Sequence, residues 1–173
     1  DYIRPAKTVY GFQPYWGEDH MTVDLTPLTH IAVFSVELQE DGTIDSTTYW
    51  HSVAEDLVER AHSMDVKVHL CVTSFSDAVN NEVLPNVQKR NIAVASLADL
   101  VEQYGADGIN VDREGMDASQ RNNLNDFVGE LKLVVPEVVV DIPAVDWSDA
   151  YDENTLATIS DGLFIMGYDY HYS

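Results

Sequence analysis

The chain has 173 residues, a length that accommodates one domain with a sizeable core, and 45% of them are apolar, a composition that excludes a disordered chain. Thirty acidic residues against nine basic ones give a net charge of −21. Such a surface repels nucleic-acid phosphates and anionic lipid headgroups, so neither nucleic acid nor membrane is an expected partner, while a neutral saccharide is permitted.

In chain order, strand-like runs fall at 8–16, 30–37, 66–73, 108–113, 138–145 and 162–167. The acidic stretch Glu37 to Asp45, with Asp41-Gly42, reads as a turn. After Ser46 to Thr48, the residues Val53, Leu57, Val58, Ala61 and Met64 form an apolar helical stripe. Leu97, Leu100, Val101 and Tyr104 form a second stripe, which Gly105 closes as a C-cap. Asp117 is placed to cap a third helix bearing Leu124, Phe127, Val128 and Leu131, which stops before Pro136. A shorter helix is expected over Glu153 to Ile159. This alternation predicts parallel βα units within a single domain, residues 1–173. No apolar run reaches the ~18 residues of a membrane span. Cys71 is the only cysteine, lies in the apolar run 66–72, and reads as a buried, inert thiol.

The stretch Ala106 to Gly115, reading ADGINVDREG, carries the chemistry. Asn110, Asp112 and Glu114 alternate with Ile109 and Val111, so on a strand the three polar groups share one face and the β-branched pair takes the other. A sheet covered on both sides normally shows continuous apolar strands, and polar groups turned inward there are costly unless they serve a purpose. Crowded carboxyls also shift each other's pKa values, as acid/base chemistry requires. A calcium loop would place Asn110, Asp112 and Glu114 at its first, third and fifth positions. Its twelfth position, where a bidentate Glu belongs, is Arg121, and the reading fails there. A carboxylate set at the C-terminal end of a barrel strand is the better match.

Asp107 to Glu114 resembles the DGxDxDxE signature of family 18 glycoside hydrolases, the chitinase family. Met166-Gly167-Tyr168-Asp169 is similar to that family's M-x-Y-D motif on its sixth strand. Val9 to Phe12, Leu28 to Ala32 and Pro143-Ala144 are weaker echoes in the same order. The resemblance implies a (β/α)₈ TIM barrel and substrate-assisted retaining hydrolysis of β-1,4-linked N-acetylglucosamine, one of the exceptions to the two-carboxylate nucleophile scheme. It casts Glu114 as acid/base, Asp112 as the group orienting the substrate's acetamido N–H, and Tyr168 as the holder of the acetamido oxygen. Asp169, Met166 and Asn110 are supporting residues. Asn110 stands where the family usually has Asp; an amide can hydrogen-bond Asp112 but cannot share its proton. Arg113 stands where an aromatic is common, and its charge is expected to reach solvent or an acid. Cys71 to Ser74 replaces the usual S-x-G-G.

Six strands in 173 residues fall short of the eight that a barrel needs, so an incomplete barrel is expected, with strands seven and eight absent, open edges and possible self-association through them. The floor Trp of the family's eighth strand has no counterpart here. Phe12, Tyr15, Trp16 and Trp147 lie near strand C-terminal ends and are candidate sugar contacts, whereas Trp50 reads as core. The six histidines show no ligand spacing, and no metal or organic cofactor is implied. Secretion is an expectation from the resemblance alone. Within the same chemistry, N-glycan or peptidoglycan substrates remain open, as do a non-catalytic chitin-binding lectin and an inert fragment.

Overall fold

The computed structural model describes residues 6–170 and the side chains of residues 6–168. Six parallel strands form one curled sheet, ordered β1 (Tyr10–Pro14), β2 (His30–Leu38), β4 (Lys67–Ser74), β5 (Gly108–Arg113), β6 (Glu137–Pro143) and β7 (Gly162–Met166). Helices α1 (Thr48–Ser63), α2 (Asp77–Val83), α3 (Val87–Tyr104), α4 (Arg121–Lys132) and α5 (Glu153–Ile159) fill the crossovers. The architecture is an incomplete (β/α)₈ barrel.

Two local expectations need correction. The stretch 37–45 is not only a turn: β2 runs on to Leu38, and β3 (Ile44–Asp45) pairs back on it antiparallel, with Leu38 opposite Ile44. The hairpin tip is Gly42 at φ +89, where a side chain would also meet the Lys89 backbone 2.4 Å away. Asp117 caps not α4 itself but a short 3₁₀ turn, Ala118–Gln120, that leads into it; its carboxylate accepts from the Ser119 N–H. Helix α2 had no counterpart in the sequence reading. At seven residues, with only Asn80 and Val83 buried, it is too short to show a period. The Gly105 C-cap forms as expected, in the left-handed conformation at φ 66.

Strand alternation sorts the core. Ile31, Val33, Val68, Leu70, Val72, Ile109, Val111, Val138, Val140 and Ile142 belong to one apolar cluster with the helices. The opposite side chains of the same strands face the concave side, where Ala32, Cys71, Asn110, Asp112, Val139 and Asp141 are all buried. Trp50 is core, with its indole N–H donating to the Leu100 carbonyl.

The N-terminal ends of the strands close on a polar cluster. His69 and Glu137 both pair in register with Gly108, one on either side. The missing side chain at Gly108 lets imidazole and carboxylate meet across β5, with His69 Nε2 3.3 Å from Glu137 Oε2. His30 Nε2 lies 3.3 Å from the same oxygen, and Lys67 pairs with the other one. Histidines that looked scattered in sequence therefore converge in the fold. His69 first, and then Lys67, hold the Glu137 carboxyl down at about 2. The three residues His30, His69 and Glu137 are spaced for a metal ion. Lys67 already supplies the countercharge to the one carboxylate, so the group reads as an ion-paired floor of the barrel.

A Cβ at position 108 would lie 2.2 Å from the Glu137 carbonyl oxygen and 2.8 Å from its carbon. Neither is a flexible side-chain end, so the two strands must separate. Gly108→Ala is expected to destabilise the fold by about 3 kcal/mol, the upper end of ordinary overpacking, read as a lower urea midpoint at unchanged m-value.

Candidate active site

β5 places its polar side chains by simple alternation. Ile109 and Val111 are fully buried against the helices, so Asn110 and Asp112 point to the concave side, at 0% and 5% exposure. Glu114 lies one residue past the strand, exposed at its mouth, with its N–H donating to the Ser74 carbonyl.

The strand end is braced from behind. Asn80 of α2 donates from Nδ2 to the Glu114 carbonyl at 2.8 Å and accepts at Oδ1 from Arg113 Nη1 at 3.1 Å. The Tyr151 hydroxyl donates to the Arg113 carbonyl. Arg113 neither reaches solvent nor meets an acid by hydrogen bond, contrary to expectation. It is 1% exposed, its guanidinium stacks 4.8 Å from the Phe127 ring centre, and burial depresses its pKa to about 9. On alternation Arg113 faces away from Asp112, and that direction leads into the helix layer.

Two hollows flank this strand end. One, about 320 Å³, is lined by Phe12, Pro14, Trp16, Phe34, Asp112, Asp141, Phe164 and Tyr168. The other, about 410 Å³, takes Glu114, Tyr151, Met166 and Trp147 among its walls. Of the four aromatic candidates, Phe12 and Trp16 therefore line the first hollow and Trp147 rims the second, 85% exposed. Tyr15 lines neither; its ring packs edge-on against Trp16 at 4.6 Å. Tyr168 opens on the first hollow from the 3₁₀ turn Gly167–Tyr170 that follows β7. The side chain of Asp169, and His171, lie outside the described residues.

Asp141 is the residue that sequence reading missed. It sits on β6 inside the apolar run VVVDIP, where one acid makes no period, and is only 3% exposed. Asn110 donates to it, Nδ2 to Oδ1, at 2.6 Å, so the amide expected to serve Asp112 is committed to the neighbouring strand. Burial, together with the Asp112 and Glu114 charges, raises the Asp141 carboxyl to about 8 despite that hydrogen bond. The same surroundings push the Cys71 thiol well above its ordinary value, burial first and then Asp112 and Asp141, which leaves it unreactive. Tyr151 is likewise shifted upward, by burial and by Glu114.

A curled parallel sheet with carboxylates at the C-terminal mouth of its strands, beside an aromatic-lined hollow, has its polar groups where barrel enzymes hold their sites. The chain belongs to the Glycosyl hydrolases family 18, whose family model matches residues 9–173. YdhD of Bacillus subtilis (strain 168), named as a sporulation-specific glycosylase, is 24% identical over 153 residues, 83% of this chain and 36% of that protein. Among solved structures, catalytic domain 2 of the Ostrinia furnacalis Group II chitinase superposes with a TM-score of 0.84 at 22% identity, covering 95% of this chain and 51% of the other. A variant of that domain is solved with bound (NAG)5. The Bacillus cereus spore cortex-lytic enzyme SleL gives a TM-score of 0.77 at 20% identity, covering 96% of this chain and 43% of its own. The chain thus spans about a third of the curated relative and about half of the solved ones. No helix among the described residues is long and apolar enough to cross a membrane.

The Asp141 shift has a definite sign. Its carboxyl stays protonated in the fold up to about 8, whereas its ordinary value is 3.8, so the group destabilises the fold increasingly as pH rises between those values. Asp141→Asn is expected to match the parent near pH 4 and to become progressively more stable than it up to about pH 8. Parallel urea titrations across that range read the difference.

Asn80→Ala is expected to cost about 1–3 kcal/mol, since it strips from a fully buried guanidinium the only hydrogen bond it makes among the described residues. The same denaturation assay measures it.

Proposed function

We propose that this chain supplies the first six strand units of a glycosidase barrel that cleaves β-1,4-linked N-acetylglucosamine chains, with the substrate's own acetamido group as nucleophile. The observation that carries the reading is the placement of Asp112 and Tyr168 on one hollow and Glu114 at the strand end beside it. A sugar in the first hollow has Phe12, Trp16 and Phe34 for its apolar face, and the chain continues past Glu114 toward Trp147.

In this mechanism Glu114 gives its proton to the glycosidic oxygen as the C1–O bond breaks. The acetamido carbonyl oxygen attacks C1 and forms an oxazolinium ion. Asp112 accepts the acetamido N–H and offsets the positive charge that develops there, and Tyr168 donates its hydroxyl to the acetamido oxygen before attack. Water then adds at C1, its proton passes to Glu114, and the oxazolinium opens with retained configuration. Glu114, exposed at the mouth, reaches both the leaving oxygen and the entering water.

Chitin is the first substrate class on this reading. The names of YdhD and SleL favour a second: the N-acetylglucosamine bonds of peptidoglycan in spore walls. Product analysis on chitin oligomers and on purified glycan strands separates the two.

Glu114→Gln in the full-length polypeptide is expected to lower turnover by about 10²–10⁴-fold while oligosaccharide binding persists, because shape is kept and only the mobile proton is lost. A matched glucoside without the 2-acetamido group is expected to resist cleavage altogether. Its efficient hydrolysis would overturn the substrate-assisted mechanism.

A further inference from the structure

Asp141 has no role in the chemistry derived above, yet the fold maintains it at a cost. A carboxyl at 3% exposure, on a strand that otherwise packs Val138, Val139, Val140 and Ile142, is a position where an apolar side chain would serve stability better. Its placement is specific. The last registered pair between β5 and β6 is Val111 with Val140, so Asp141 lies one residue further along, level with Asp112 and on the same concave side. Both carboxyls line the same hollow. Asn110, the residue two before Asp112, holds Asp141 through its amide rather than touching solvent.

We propose that Asp141 is a positioning residue for Asp112: a neutral carboxylic acid, fixed by the Asn110 amide, that keeps the proton in an Asp112–Asp141 pair and leaves one negative charge in the hollow, on Asp112. The inference rests on the reading of Asp112 as the acetamido-orienting group. Two carboxylates side by side in a buried site cannot both ionise at neutral pH, so one of them holds a proton. The geometry selects which one. Asp141 is the one that the Asn110 amide holds, accepting at Oδ1, so the proton of its neutral form resides on Oδ2. Burial and the Asp112 and Glu114 charges favour that neutral form. The chain thereby has a second carboxyl beside Asp112 although position 110 is an amide. The carboxyl comes from the neighbouring strand, and Asn110 orients it. The titratable groups facing Asp141 are Asp112 and Glu114 at the end of β5, Cys71 from β4, Tyr10 from β1, Tyr151 ahead of α5 and Tyr168 after β7.

The test uses the full-length polypeptide and two readouts. In infrared titration, the C=O stretch of a protonated carboxylic acid should persist at pH 7, fade with a midpoint near 8, and be missing in Asp141→Asn. A carboxylic-acid band that is absent at pH 7, or unchanged in Asp141→Asn, overturns the proposal whether or not the protein cleaves any sugar. In kinetics on an N-acetylglucosamine oligomer, Asp141→Val should lower kcat by about tenfold with little change in KM. That is less than the ~10²–10³ lost when a donor to the reacting atoms is removed. Adding Asn110→Asp to Asp141→Val should recover most of that loss, because the carboxyl returns beside Asp112 from the other strand. Full kcat in Asp141→Val, or no recovery in the double variant, also overturns it. A parent that cleaves no N-acetylglucosaminide refutes the proposed function instead, and the infrared titration still decides the protonation of Asp141.

Discussion

Ile109 and Val111 are fully buried in the layer between sheet and helices, and a strand cannot bury that pair without turning Asn110 and Asp112 to the concave side. The site follows from this constraint. The apolar pair fixes the register of β5 against β4 and β6, because a slip of one residue would carry two polar groups into the core. Once that register is set, Thr73 lies opposite Asp112, Cys71 opposite Asn110, and His69 and Glu137 meet across Gly108. Hydrophobic burial on one face thus positions polar chemistry on the other.

The concave side is organised in levels along the strands. At the N-terminal end, Glu137 gathers His30, His69 and Lys67 into a neutralised floor. Above it, the Tyr10 hydroxyl meets His69 Nδ1 at 2.9 Å and also engages Asn110. Asn110 then reaches Asp141, level with Asp112, and beyond them the aromatic hollow opens. Tyr10, Asn110 and Asp141 are each held by the level beneath. The C-terminal mouth of the strands therefore stands on a packed interior rather than on loops alone, the arrangement that precise chemistry needs. Behind β5, Asn80, Arg113 and Tyr151 hold the strand end from the helix side.

Much of this was legible in the sequence, and the parts that were not share physical reasons. The alternation of Ile109 to Glu114, the Gly105 cap and the stripes of α1, α3 and α4 are periodic signals, and periodicity survives in a bare sequence. Asp141 was silent because β6 is covered on both faces and reads as one apolar run, so a single acid declares no side. Arg113 was misplaced because an outward-facing charge suggests solvent, whereas Phe127 and Asn80 lie in that direction. His30, His69 and Glu137 are separated by 39 and 68 positions and share no local pattern; only the register around Gly108 unites them. Tyr15 and Trp16 are adjacent and alike in sequence, yet only Trp16 lines the hollow.

The claim at the centre of this account is that the polar side of β5 recognises the acetamido group of a sugar. A crystal structure of the full-length Glu114→Gln protein with a bound N-acetylglucosamine oligomer tests it most directly. The account predicts a sugar in the hollow between Trp16 and Tyr168, with its acetamido N–H donating to Asp112, its acetamido oxygen accepting from the Tyr168 hydroxyl, and its glycosidic oxygen beside residue 114. An oligomer bound elsewhere, or one whose acetamido group turns away from Asp112, would contradict it.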